Sequence, residues 1–185
     1  MRTFIAIEID HAIRDKIGEI QHRLAFLNSK ISLVPPQNMH LTLKFLGELG
    51  EEEVALLKEG LARYLKGTHK FSLHFSGSGV FPSEQRVRVV WVGIDKGKRE
   101  LTSLSQTIEP LFTEIGIEVD KKPFSPHITI GRVKVLKDRE KLLKVIKEMG
   151  TIAYGTQVAN KVVFKKSILG KSGAVYETLA EFPLI

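Results

Sequence analysis

A short alternating pattern occurs twice in this chain, and its repetition constrains the fold more than any other feature. The first copy is His40-Leu41-Thr42-Leu43 and the second is His127-Ile128-Thr129-Ile130, which lie 127 − 40 = 87 residues apart. Polar and apolar residues alternate in both copies, as they do in a β-strand with one buried face. Each copy therefore predicts a strand whose His and Thr side chains project from the same face.

The elements around the two copies follow the same order, which favours a duplication. Each half is predicted to run strand, helix, His-Thr strand, helix, strand, with the halves spanning roughly residues 1–83 and 84–185. The first strand of each half ends similarly, in Ile7-Glu8-Ile9-Asp10 and in Val92-Gly93-Ile94-Asp95, at an offset of 92 − 7 = 85 residues. Coincidence between two ordinary α+β halves is the alternative. The matched offsets favour counterpart His-Thr strands across a central cleft.

The periodicity of apolar residues predicts the individual elements. Helices are expected over roughly residues 10–28, 51–66, 98–116 and 138–149. Strands are expected over 4–9, 40–46, 71–75, 87–94, from 127 onward, over 152–165 and over 174–182. Gly77-Ser78-Gly79 is expected to interrupt the chain after the third strand. Strands that alternate with helices in this way predict an α+β fold with helices against one side of a sheet.

Composition restricts the cellular context. The chain has 185 residues, enough to bury a core without cross-links, and it contains no cysteine, which excludes disulfides and a cysteine nucleophile. No apolar run reaches the roughly 20 residues of a membrane span, and acidic residues appear too early for a signal peptide. We therefore expect a cytoplasmic protein. The formal net charge of +7 would attract a polyanion such as nucleic acid, although a lysine-rich surface alone would explain it equally well.

The doubled motif suits a metal-free phosphate site with a paired acid and base. One copy alone has little weight, because a strand histidine is more often structural, but the matched doubling favours catalysis or ligand binding. The remaining histidines show no metal-ligand spacing, so no metal site is expected. Gly170-Lys171-Ser172 resembles the end of a P-loop, but Lys165 stands where that loop requires glycine. The segment is interpreted as a hairpin turn, and no nucleotide cofactor is expected.

Two cations near the motifs are candidate phosphate ligands. The alternation in the first strand predicts one face with His40, Thr42 and Lys44, and another with Leu41, Leu43 and Phe45. A solvated lysine is an equally good interpretation of Lys44. Arg132 would fall on the apolar side of the second strand with Ile128 and Ile130, so that either the strand bends at Gly131 or Arg132 lies past the core.

The two motif segments resemble those of a known family. His40-Leu41-Thr42-Leu43-Lys44-Phe45-Leu46-Gly47 and Pro126-His127-Ile128-Thr129-Ile130-Gly131-Arg132 are similar to the paired motifs of the 2H phosphoesterases, most closely those of the RNA 2',3'-cyclic phosphodiesterases, also called LigT-like 2'-5' RNA ligases. Further similar segments are Phe4-Ile5-Ala6-Ile7, Gly79-Val80-Phe81-Pro82, Val90-Trp91-Val92-Gly93 and Lys166-Ser167-Ile168-Leu169, with Tyr176. The resemblance implies a bilobal fold with pseudo-twofold symmetry. Each lobe would be an antiparallel sheet backed by helices, and both motifs would face a central cleft.

The resemblance also implies a reaction. A 2',3'-cyclic phosphate at an RNA end would open to a 2'-phosphate without a metal or a cofactor. His127 is implied to be the base that activates water and His40 the acid that protonates the leaving 3'-oxygen, although imidazole chemistry alone fits the reverse assignment. Thr42 and Thr129 would bind the non-bridging oxygens, with Arg132 and Lys44 as cationic support. The same site could join a 5'-hydroxyl to the cyclic phosphate through a 2'-5' linkage.

The expected partners are RNA ends that carry a 2',3'-cyclic phosphate, with tRNA fragments among the candidates. No membrane partner is expected, and a monomer is the simplest state. Two other functions remain open, namely a non-catalytic RNA-end binding protein and a phosphodiesterase that acts on 2'-5' oligonucleotides. Phe81 or another cleft aromatic is a candidate to stack on the terminal base.

Overall fold

The computed structural model describes residues 1–119, 121–170 and 173–185. The strands described are β1 (Arg2–Glu8), β2 (Lys30–Leu33), β3 (His40–Glu48), β4 (Phe71–Ser83), β5 (Arg86–Lys96), β6 (Ile128–Val135), β7 (Ala153–Ala159), β8 (Lys161–Gly170) and β9 (Gly173–Pro183). The α-helices described are α1 (His11–Ala25), α2 (Glu51–Tyr64), α3 (Lys98–Glu114) and α4 (Arg139–Met149). A short 3-10 turn, Pro36–Asn38, leads into β3.

All described strands belong to one antiparallel sheet with the two His-Thr strands at its centre. The strand order is β7-β4-β5-β6-β3-β1-β8-β9, and β2 pairs with β6. The order is symmetric about the β6–β3 pair, so that β5 corresponds to β1, β4 to β8 and β7 to β9. Strands are exchanged between the two sides of the sheet, because β4 lies beside β5 while β8 and β9 lie beside β1.

The four helices form at the predicted positions, whereas two strand predictions are wrong and one strand was missed. β4 continues through Gly77-Ser78-Gly79 to Ser83, because pairing with β5 resumes after an irregular step at Gly77. The strand predicted over 152–165 divides at Asn160 into β7, which is at one end of the sheet, and β8, which lies next to the last strand on the other side. β2 was not predicted. β8 and β9 pair as a hairpin, but residues 171 and 172 of the predicted turn lie outside the described residues.

The core lies between the sheet and the helices, and a second buried cluster lies on the opposite face. Ile5 and Ile7 of β1 belong to the main core, which includes residues from all four helices. Phe4 and Ala6 point the other way and pack with Val163 in the smaller cluster. β1 is therefore buried on both faces, and its outer face supports the site described below. None of the helices within the described residues has the length and apolar character needed to cross a bilayer.

Candidate active site

The two His-Thr motifs lie side by side on the central strands. β3 and β6 are antiparallel, and Leu41 pairs with Ile128. This register sets His40 opposite Thr129 and Thr42 opposite His127, on the face away from the helices. On one face of an antiparallel pair, Cβ atoms that are directly opposite lie ~4.5–5.5 Å apart and diagonal neighbours about 7–8 Å apart. The two imidazoles lie on a diagonal, which leaves space for one phosphorus centre between them.

The four motif side chains line one cavity of about 920 Å³. Arg132 and Lys134 of β6 line the same cavity, as do Phe81 and Tyr176. Residues between Ser32 and Asn38 form much of the remaining wall. The cavity thus combines two imidazoles, two hydroxyls, two cations and aromatic rings, a combination that suits a nucleotide phosphate.

Each imidazole is oriented by the backbone two residues before it. The Nδ1–H of His40 donates to the carbonyl oxygen of Asn38 at 2.8 Å, and the Nδ1–H of His127 donates to that of Ser125 at 2.6 Å. Because a carbonyl oxygen can only accept, these bonds keep a proton on Nδ1. Nε2 is therefore the atom of each ring that is available for proton transfer.

Aromatic rings hold both imidazoles in place. Phe4 stacks on His40 with ring centroids 4.6 Å apart, and Tyr176 meets His40 edge-on at 5.2 Å. Phe81 meets His127 edge-on at 4.9 Å. The role of Phe4 was missed from the sequence. The signal was present, because the continuous apolar run Phe4-Ile5-Ala6-Ile7 is typical of a strand that is buried on both faces.

A β-bulge in each central strand changes which side chains face the cavity. Leu43 is the extra residue of β3 opposite β1, and Ile130 is the extra residue of β6 opposite β5. These two residues lie 130 − 43 = 87 positions apart, so the bulge is duplicated together with the motif. A bulge shifts the alternation of side chains by one residue from that point onward.

The bulge in β3 exchanges the expected places of Lys44 and Phe45. Phe45 is 65% exposed and lines the cavity beside His40 and Thr42, whereas Lys44 is 7% exposed and lies on the helix side. The Lys44 Nζ donates to the carbonyl oxygen of Glu118 at 3.0 Å. The prediction that Lys44 shares a face with His40 while Phe45 faces the core is therefore wrong, because it assumed a regular strand.

The bulge in β6 has the opposite consequence for Arg132. A regular strand would have placed Arg132 on the apolar side, but the shift at Ile130 turns it onto the face of His127 and Thr129. The structure thus brings five of the six predicted site residues into one cavity and places the sixth, Lys44, outside it.

Burial lowers the pKa of both histidines. The pKa of His40 falls from 6.5 to about 4, mainly through burial, with Lys165 and Arg132 lowering it further and the Asn38 bond opposing the shift. Burial also lowers the pKa of His127, Arg132 adds to the effect, and the Ser125 bond opposes it. Both rings are therefore neutral at neutral pH before a phosphate binds.

This shift predicts an acidic optimum for kcat/KM. Acid–base catalysis needs one neutral and one protonated imidazole, and kcat/KM reports the free enzyme. Activity should fall below about pH 4 as both rings gain a proton. It should already be falling before the pH reaches 6.5, the ordinary histidine pKa, because burial lowers the pKa of His127 from that value. A bound phosphate anion raises both pKa values, so the kcat optimum should lie at higher pH. Rates measured from pH 4 to 9 test this, and a kcat/KM optimum at pH 8 would contradict it.

Gly79 leaves space for the indole that borders the site. A Cβ at Gly79 would lie 2.2 Å from Cζ2 of Trp91, whose ring centroid is 6.4 Å from that of His127. Gly79→Ala must therefore displace the indole, and we expect a loss of about 1–3 kcal/mol in unfolding free energy together with lower activity. Denaturant unfolding measures the stability, the emission of this sole tryptophan reports the displacement of the indole, and a steady-state rate measures the activity. Gly18→Ala is the control, because its nearest contact would be 3.5 Å and α1 should tolerate it.

Within the described residues, no group of three or more His, Cys, Asp or Glu side chains is placed to hold a metal ion.

The chain matches one family along most of its length. The family model described as LigT like phosphoesterase matches twice, over residues 7–91 and 92–176. An RNA 2',3'-cyclic phosphodiesterase of Methanothermobacter thermautotrophicus is 31% identical over 184 residues, a match that covers 100% of this chain and 99% of the relative. The double match confirms the predicted duplication and the α+β fold.

Solved structures agree. A crystal structure of a Thermus thermophilus protein matches with a TM-score of 0.84 at 27% identity, covering 100% of this chain and 98% of that one. A crystal structure of E. coli LigT complexed with 3'-AMP matches with a TM-score of 0.78 at 26% identity, covering 99% and 97% of the two chains. Sequence and structure lead to the same conclusion: this chain belongs to the LigT-like phosphoesterase family.

Proposed function

We propose that this protein is an enzyme that hydrolyses the 2',3'-cyclic phosphate at RNA ends to a 2'-phosphate. The observation that carries the proposal is the set of four side chains from the two central strands, two imidazoles and two hydroxyls, that line one cavity with Arg132. The name of the Methanothermobacter relative supports the reaction. The 3'-AMP in the E. coli LigT complex supports a nucleotide with phosphate on its ribose as the kind of molecule bound.

In the proposed mechanism, His127 and His40 act on opposite sides of phosphorus. His127 takes a proton from water at Nε2 while the water oxygen forms a bond to phosphorus. The bond between phosphorus and the 3'-oxygen breaks, and His40 in its protonated form gives its Nε2 proton to that oxygen. The hydroxyls of Thr42 and Thr129 donate to the non-bridging oxygens, and Arg132 stabilises their negative charge.

We assign this activity to a single bilobal domain that spans residues 1–185 and acts as a cytoplasmic monomer. The support for a single domain is that each half of the sequence supplies one imidazole to the same cavity. We place Lys44 in the wall of a neighbouring cavity, where it would position residue 118, rather than at the phosphate. RNA fragments with cyclic phosphate ends, tRNA fragments among them, are the proposed substrates.

Product analysis on an oligoribonucleotide with a 2',3'-cyclic phosphate tests the proposal. We expect a 2'-phosphate product, and we expect turnover to continue in the presence of a chelator because both proton transfers use imidazoles. A 3'-phosphate product would contradict the assigned regiochemistry. Binding without turnover would favour the RNA-end binding protein, and selective cleavage of 2'-5' oligonucleotides would favour the other phosphodiesterase activity.

A further inference from the structure

A second cavity of about 710 Å³ opens beside the first. The two cavities share Thr42, Phe45 and His127, so they are continuous at the phosphate site. The second cavity runs between α3 and the segment before β6, and neither His40 nor Thr129 lines it. A molecule held there would reach a phosphate from the side of His127.

The walls of the two cavities are counterparts in the duplication. One wall of the first cavity is the segment from Ser32 to Asn38. The corresponding wall of the second cavity begins at Val119 and ends at Ser125, which are the residues 87 positions later. Asn38 and Ser125 are also the residues whose carbonyls orient the two imidazoles. The cleft therefore has two arms. We name them the His40 arm, walled by residues 32–38, and the His127 arm, walled by residues 119 and 121–125 and by α3.

The duplication is imperfect at the place where the arms differ. β2 pairs with β6 from Gly131 to Val135 and covers that edge. The counterpart of Lys30–Ser32 is the segment 117–119, which is described but forms no strand along β3. The His127 arm consequently extends between β3 and α3, where it is lined by the buried ring of Phe112.

The lining of the His127 arm fits a nucleoside with its adjoining phosphates. Phe45 and Phe124 offer exposed or half-buried aromatic surface on which a base can stack. α3 contributes hydroxyl and amide groups from Thr102, Ser105 and Gln106, which can bond to base or ribose edges. Lys121 and Lys122 are exposed at the arm and can attract backbone phosphates. Aromatic, amide and cationic groups together are typical of a single-stranded nucleic acid site.

We infer that the His127 arm is the subsite for a second RNA strand that presents a 5'-hydroxyl. The inference rests on the proposed function, in which the attacking oxygen enters from the side of His127. In this reaction the 5'-hydroxyl gives its proton to Nε2 of His127 as its oxygen bonds to phosphorus. The bond to the 3'-oxygen breaks, and that oxygen takes the proton of His40. The product is a 2'-5' linkage, and no further reactant is needed.

The occupant of the His127 arm then decides between the two outcomes of the same chemistry. Water reaches phosphorus when the arm is empty of RNA, and hydrolysis follows. A bound strand replaces that water with its own hydroxyl. Because the hydroxyl is held close to phosphorus, its attack is faster than that of a freely diffusing molecule. The arm should therefore govern ligation while leaving hydrolysis of a small cyclic phosphate unchanged.

Two serines on α3 provide a matched pair of variants. Ser105 is half-buried and lines the arm, whereas Ser103 is exposed and lies outside it. Ser105→Tyr should fill the arm and lower 2'-5' ligation of a cyclic-phosphate donor to a 5'-hydroxyl acceptor oligonucleotide by at least about tenfold, the loss expected for one stacked base. Hydrolysis of a 2',3'-cyclic mononucleotide should stay within about twofold. Ser103→Tyr should leave both rates unchanged.

Lys122→Glu is a second variant at an exposed position, which keeps the test valid if Ser105→Tyr does not fold. It should raise the acceptor concentration needed for half-maximal ligation and leave mononucleotide hydrolysis unaltered. The inference is overturned if ligation is unchanged in both variants, or if the wild-type protein hydrolyses but never ligates. It is also overturned if the variants impair hydrolysis of long donors alone, since the arm would then hold the donor strand. Absence of wild-type hydrolysis would instead refute the proposed function, and the inference with it.

Discussion

Replacing either central histidine by alanine should lower kcat by about 10²–10⁴-fold, the usual contribution of one positioned proton-transfer group. His40→Ala removes the group that would protonate the 3'-oxygen, and His127→Ala removes the group that would deprotonate water. The double variant should be little worse than either single variant, because the two transfers act as one unit. Steady-state rates on a 2',3'-cyclic nucleotide measure all three variants.

His74→Ala is the matched control for these variants. His74 also lies on a strand, and its Nδ1 lies 2.5 Å from a carboxylate oxygen of Asp95, away from the cleft. Its replacement should leave kcat within about twofold, far below the loss assigned to a catalytic imidazole. Thermal unfolding should accompany each rate, since Phe4 loses its stacking partner in His40→Ala. If His40→Ala or His127→Ala retains wild-type kcat in a folded protein, the two-imidazole mechanism is wrong.

A modified leaving group separates the acid from the base. A substrate with sulfur in place of the 3'-oxygen leaves as a thiolate, which needs no proton because a thiol has a pKa of about 8.5. His40→Ala should therefore recover much of its lost rate on this substrate, whereas His127→Ala should stay impaired. Recovery in His127→Ala instead would reverse the acid and base assignment. The comparison decides a question that imidazole chemistry alone left open.

Much of this site could be predicted because its signals are local. Alternation over four residues places His40 and Thr42 on one strand face, and the same holds for His127 and Thr129. The 87-residue offset indicates that the two copies arose by duplication, and a duplication predicts that both copies face one cleft. None of these inferences needs knowledge of which strands become neighbours.

The misplacement of Lys44 and Phe45 has a non-local cause. A bulge depends on how a strand pairs, and nothing in His40–Gly47 alone shows that Leu43 will lie unmatched opposite β1. The duplication contained a usable clue, because Phe45 and Arg132 are counterparts at the 87-residue offset. Arg132 is charged and should therefore avoid the core. Because Phe45 is its counterpart, Phe45 should also face away from the core.

The exchange of strands between the two sides of the sheet could not be predicted from the sequence either. Residues 153–170 contain strand-forming residues on both sides of Asn160, yet β7 pairs with β4 at one end of the sheet and β8 pairs with β1 on the other side. Strand order is set by packing between segments that are far apart in the chain, and local propensity carries no information about it. As a result, Tyr176 near the C-terminus contacts Phe4 and His40 near the N-terminus.

The symmetry of the site matches the symmetry of the transition state it would bind. In an in-line displacement, the attacking and leaving oxygens occupy the two apical positions of phosphorus, and the 2'-oxygen and two non-bridging oxygens lie around the equator. A twofold axis along the bond to the 2'-oxygen exchanges both the apical pair and the non-bridging pair. The pseudo-twofold of the protein exchanges His40 with His127 and Thr42 with Thr129. Each threonine should therefore serve a different non-bridging oxygen.

Thr42→Val and Thr129→Val test this correspondence. Each variant removes one hydroxyl donor to developing charge and should lower kcat by about 10²-fold, the lower end of the range for one such donor. Thr178→Val, at an exposed position of β9 outside the cavity, should have no effect. Cyclic phosphates with sulfur at one non-bridging position supply the sharper readout. Each threonine variant should lose its sensitivity to sulfur in one diastereomer only, and the two variants should differ in which one. If both variants lose sensitivity to the same diastereomer, the two threonines bind the same oxygen. The proposed match between the symmetry of the protein and that of the transition state would then be wrong.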